Sequence, residues 1–111
     1  MEVREDRIGE VVVLEAKGRI DSTTAPALGE KLSGALGSPQ ARLVLDLKQL
    51  EYISSAGFRV LLLAAKRAEA AGSKFVLCGI SGKVRQLFDL AGFLDLFAIL
   101  ASREDAIVAV R

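Results

Sequence analysis

The 111-residue sequence predicts an α/β domain built on a mixed, mostly parallel β-sheet. Two observations lead there. The segments "RLVLDL" (42–47) and "KFVLCG" (74–79) are short, near-continuous apolar runs, the pattern of strands covered on both faces. These runs alternate with stretches whose apolar residues recur at helical spacing, and strands separated by helices pair in parallel through right-handed crossovers.

The elements are expected in the order ββαβαβαβα. "EVVVLEAKG" (10–18) is β-branched and apolar, and the chain continues past Gly18 through Arg19 and Ile20 to a turn at Asp21, so two early strands are predicted here. "DSTTAPALGEKLSGALG" offers Asp21, Ser22 and Thr23 as helix caps, Pro26 in the first turn, and Leu28, Leu32, Ala35 and Leu36 on one face. The strand at 42–47 follows, then a loop, "KQLEY". Residues 56–71 read as an apolar helix that stops at Gly72. After the strand at 74–79, Val84, Leu87, Phe88 and Ala91 align on a third helix that ends at Gly92. "LDLFAIL" (94–100) is the last strand expected, and Ser102 with Asp105 forms the S-x-x-D start of a terminal helix carrying Ala106 and Val110.

Composition narrows the functional classes. Lys and Arg number 15 against 14 acids, so no net field draws nucleic acid or an anionic membrane. One Cys and no His rule out an internal disulfide and the usual zinc sites, so no metal and no cofactor is expected. The charged N-terminus "MEVREDRIGE" lacks a signal-peptide core, and "RVLLLAAKRA" is too short to span a bilayer. A cytoplasmic protein without membrane insertion is the expectation. An unpaired edge strand leaves a homodimer open.

The stretch "YISSAGF" (52–58) carries the functional signal. It leaves a central strand at its carboxyl end and enters a helix, the edge where open α/β sheets bind ligands. One of Ser54 and Ser55 can cap that helix. A hydroxyl left over would face a helix N-terminus that stabilises added negative charge. Gly57 fits a close approach of backbone at the helix start. Catalysis has no support: without His there is no serine triad, no phosphate-binding loop motif is present, and Lys66 lies three helical turns from Ser55. Cys78, inside "FVLCGI", reads as a buried core thiol, and "KRAEAAGSK" as a solvated helix end. Leu94 and Phe97 in "DLAGFLDLF" would mark a second docking surface if exposed.

The stretch from "LVLDLKQLEYISSAGF" to "LFDLAGF", together with "GRID" at Gly18 to Asp21, resembles the STAS domain of bacterial anti-sigma-factor antagonists across nearly the whole chain. The resemblance implies one STAS domain over residues 1–111, with helices mainly on one face of the sheet. It also implies a non-enzymatic regulator that binds an anti-sigma factor, itself a serine kinase, and so frees a sigma factor. The family motif Asp-Ser-(Ser/Thr/Ala)-Gly-Leu places its phosphorylated serine at Ser55. Here Ser54 replaces the usual Asp, Ala56 stands where several relatives have a second hydroxyl, and Phe58 replaces Leu. The implied docking face comprises Asp21, Ser54, Ser55, Ala56, Gly57, Phe58 and Arg59, with a serine phosphatase to reverse the modification. A constitutive STAS scaffold without a switch, such as the small cytoplasmic subunit of a lipid-transport complex, is the alternative.

Overall fold

A computed structural model describes every residue from Met1 to Arg111. The chain opens with a hairpin in which β1 (Glu2–Ile8) runs antiparallel to β2 (Val11–Ile20). There follow α1 (Ala25–Ala35), β3 (Arg42–Asp46), β4 (Leu50–Ile53), α2 (Ser55–Ala71) and β5 (Lys74–Cys78). The chain closes with α3 (Gly82–Leu90), a 3-10 turn (Leu94–Leu96), β6 (Ile99–Leu100) and α4 (Arg103–Val110). The sheet order is β1-β2-β3-β5-β6, and every pairing except the first is parallel.

The two faces of the sheet are covered unequally, and the pleat of β2 sorts its side chains between them. Val12, Leu14 and Ala16 join Leu28, Leu32, Leu61 and Phe88 in the larger core, under α1, α2 and α3. Val11 and Val13 join Val44, Val76 and Cys78 under Ala106, Ile107 and Val110 of α4. Helices thus lie mainly on one face, as expected.

Four elements differ from the sequence expectation. The charged N-terminal segment is a full strand: β1 is an edge strand with only Val3 half-buried, and Arg4, Glu5, Asp6 and Arg7 give it four consecutive charges. The two strands expected between residues 10 and 20 are one, because a bulge at Gly18, with φ +101°, lets β2 continue to Ile20. The loop "KQLEY" contains most of β4. The final strand shrinks to two residues, since 94–96 coil into a 3-10 turn.

β3 and β4 both pair with β2, at Val11–Glu15 and Gly18–Ile20 respectively, so they form one line broken by a step at 47–49. Gly18 N–H bonds the Gln49 carbonyl at 3.1 Å across that step. The paired ends of β2 and β4 therefore carry the chain past the body of the sheet to the start of α2. The helix ends as its sequence demands: Gly72 adopts φ +68° and its N–H bonds the carbonyls of Ala68 and Glu69. No helix is long and apolar enough to cross a membrane.

Candidate functional site

Ser54 and Ser55 divide the work at the strand-to-helix junction. Ser54 extends the ladder, its N–H donating to the Ile20 carbonyl at 2.8 Å. Its own backbone stays extended, at φ −94° and ψ 176°, and its hydroxyl accepts from Gly57 N–H at 3.4 Å. Ser54 is therefore the cap of α2. Ser55 becomes the first helical residue, exposed, with a hydroxyl that takes no part in the side-chain hydrogen bonds of the chain.

The next turn of α2 explains the residues that follow. A Cβ on Gly57 would lie 2.6 Å from Ile53 Cγ1 and 2.7 Å from Ile20 Cγ2, so only glycine lets the helix start this close to the ends of β2 and β4. Phe58 turns inward, 5 % exposed, and packs its ring against Phe88 and Phe93 at centroid distances of 4.9 and 4.7 Å. Gly57 and Phe58, both in the docking face the resemblance implies, are buried beneath the exposed Ser55 and Arg59. Ala56 is half-buried, and Arg59 points outward one turn above Ser55.

Asp21 organises the opposite wall. Its Oδ1 accepts from the N–H groups of Thr23 and Thr24 at 3.0 and 3.1 Å, and the Thr24 hydroxyl ties the turn to the Arg19 carbonyl at 2.9 Å. The backbone N–H groups of Thr24 and Thr23 hold the Asp21 carboxyl below its ordinary pKa. Thr24, not Asp21, is the formal cap of α1 and makes no side-chain cap bond. The Asp21 carboxylate supplies that stabilisation from three residues earlier.

Together these elements form a shallow groove of about 380 Å³ whose walls include Ser22, Pro26, Ser55, Arg59 and Val60. Ser22, Pro26 and Val60 did not emerge from the sequence as site residues. Pro26 and Val60 also line a second hollow that runs on between α1 and α2.

The remaining sequence candidates fall outside the site. Lys66 and Ser55 lie on one unbroken helix, and eleven residues at 1.5 Å each separate them by roughly 16 Å. Cys78 is fully buried, and burial pushes its thiol up to about 12. Leu94 and Phe97 are half-buried against the larger core, and the exposed apolar side chains of that stretch are Leu90 and Leu96 instead.

The STAS domain family model matches residues 2–106. This chain belongs to the STAS domain family. Among its relatives, BtrV of Bordetella bronchiseptica, provisionally named an anti-sigma factor antagonist, is 37 % identical over 111 residues, covering 100 % of this chain and 96 % of BtrV. The anti-sigma-B factor antagonist of Bacillus subtilis is 33 % identical over 90 residues, 81 % of this chain and 82 % of the relative. The crystal structure of an anti-sigma factor antagonist from Mycobacterium paratuberculosis superposes with a TM-score of 0.85 at 28 % identity, covering 99 % of this chain and 93 % of that one. Its STAS relatives are thus antagonists of anti-sigma factors, and their fold is the six-stranded α/β domain described above.

Proposed function

We propose that this STAS domain is a non-enzymatic anti-sigma-factor antagonist of the bacterial cytoplasm that binds an anti-sigma factor with serine kinase activity and is released when that kinase phosphorylates Ser55. The observation that carries this reading is the division of labour at the junction: Ser54 caps α2 and leaves the Ser55 hydroxyl exposed and unpaired beside the groove.

The exposed surface around Ser55, with Ser54, Ala56, Arg59 and the Asp21 turn, docks the kinase. Transfer then joins Ser55 Oγ to the γ-phosphorus of ATP, breaks the bond from that phosphorus to the bridging oxygen of ADP, and passes the hydroxyl proton to a base on the kinase. Phosphorylation adds about −1.5 to −2 charges and three acceptor oxygens. The domain tolerates them, because Ser55 is the first residue of α2, where the helix dipole stabilises an anion. The interface does not. A partner surface shaped for a neutral hydroxyl must desolvate a dianion, and like-charge juxtaposition costs several kcal/mol. At about 1.4 kcal/mol per tenfold, affinity falls about a hundredfold or more. The anti-sigma factor then recaptures its sigma factor until a serine phosphatase removes the phosphate.

The test is incubation with ATP and the serine kinases encoded near this chain, followed by intact-mass and peptide mass spectrometry. A single phosphate on Ser55 is expected, with Ser55→Ala still bound by the same kinase and Ser55→Asp bound more weakly at unchanged thermal stability. Equal binding of both variants, or modification only elsewhere, would leave a constitutive interaction scaffold as the surviving function.

A further inference from the structure

We propose that Arg59 is the internal counter-ion of a phosphate on Ser55, so that the modified site closes on itself. The guanidinium that the unmodified domain offers to a partner is then taken up by the domain's own phosphoserine. This rests on the reading of Ser55 as the modified residue.

Ser55 and Arg59 are both in α2, four residues apart, both exposed, and both line the same groove. Residues at this spacing are neighbours on a helix surface. The direction is favourable too, because side chains on a helix lean toward its N-terminus, which carries the guanidinium of Arg59 back over Ser55. A planar guanidinium meets a phosphate through paired charge-assisted hydrogen bonds, a geometry a lysine ammonium cannot reproduce.

Arg59 is also uncommitted. It takes part in none of the five ion pairs of the chain. Its helical neighbours three and four residues away are Ser55, Ala56, Leu62 and Leu63, none of them acidic. Arg67, which lines the neighbouring hollow between α1 and α2, differs: it donates to the Ser33 hydroxyl and is held across the two helices. Across the groove Ser22 is exposed and places a further hydroxyl on the opposite wall.

The consequence concerns the sign of the site. Without an internal counter-ion, phosphorylation would deposit a naked dianion beside a free cation. The two groups together carry about −1 whether or not they touch, where the unmodified site carried +1, and contact between them takes the guanidinium away from a partner. A partner that met a hydroxyl and a guanidinium loses both.

The test uses the full chain with phosphoserine installed at position 55 during synthesis, so that no kinase is needed. Phosphorus NMR then follows the second ionisation of the phosphate, and proton–nitrogen NMR follows the Arg59 side-chain Nε–H. In the native sequence the phosphate is expected to ionise about 0.5 pH unit lower than in the Arg59→Gln chain, with Arg59→Lys between them. The Arg59 Nε–H signal is expected to shift on modification. Identical titrations in native and Arg59→Gln chains, with an unmoved Arg59 signal, overturn the proposal. Because the phosphate is installed without a kinase, that result leaves the kinase reaction untouched, and a kinase that ignores Ser55 leaves this measurement standing.

Discussion

Two polar clusters sit near the carboxyl ends of the strands, on opposite faces of the sheet, and they are satisfied to opposite degrees. On the α4 side, Arg103 bonds Asp46 through Nε at 2.9 Å, Asp6 through Nη1 at 3.1 Å and Glu15 through Nη2 at 3.1 Å. Asp46, only 4 % exposed, also accepts from Lys48 N–H at 2.9 Å. Burial works against the charge of Arg103, but the hydrogen bond and charge of Asp46 outweigh it, and its pKa is raised. On the α1–α2 side, the Ser55 hydroxyl and the Arg59 guanidinium have no partner of their own. The saturated cluster holds the hairpin, β3 and α4 together, whereas the unsaturated one leaves an exposed hydroxyl and an exposed guanidinium free.

The contrast breaks most severely at Arg103. Arg103→Leu strands the buried Asp46 carboxylate and is expected to cost about 3 kcal/mol in urea unfolding, while the folded fraction keeps its affinity for the anti-sigma factor. A loss below about 0.5 kcal/mol would place this cluster with ordinary surface charges.

Gly57→Ala comes next, because it couples the Ser55 site to the larger core beneath it. With Ile53 and Ile20 inside van der Waals distance of the new methyl group, overpacking is expected to cost about 1–3 kcal/mol. The start of α2 shifts with it, so partner affinity should fall as well, measured by calorimetry on protein still folded at the working temperature. Full affinity in that variant would separate the placement of Ser55 from the packing beneath it.

The smallest effect sharpens the contrast most. Ser54→Ala removes the cap and should lower stability by about 0.5–1 kcal/mol, toward the small end because its bond is long. Ser55→Ala should stay within about 0.5 kcal/mol of the native chain. Equal losses in paired denaturant curves would erase the division of labour between the two serines.

Much of the fold was legible because burial leaves a strong pattern. β3 and β5 are apolar on both faces and α2 carries a long apolar stripe, so periodicity found them. β1 escaped because both of its faces are largely solvated, and nothing apolar alternates along it. β4 escaped because four residues are too few to show a period. At the site, the motif located Ser55, but which serine caps depends on backbone geometry that the letters do not carry. The inward turn of Phe58 was legible: Phe58, Leu61, Ala64 and Ala68 are all buried on one stripe, and the helical phase places Phe58 on it. Arg103 also left a trace. A cation in the first turn of a helix opposes the dipole, and an aspartate inside "RLVLDL" needs a partner, so each residue asked for the other.

The charges of β1 reach beyond the single chain. Two copies that joined β1 to β1 about a two-fold axis would have to set one residue directly opposite its own copy at the centre of the ribbon. Centred on Arg4, Glu5, Asp6 or Arg7, every such register puts a charge against itself, and like charges directly opposite are destabilising. The far edge of the sheet is β6, only two residues long. Four consecutive charges on one margin and a strand of only two residues on the other are both devices by which natural sheets blunt an edge.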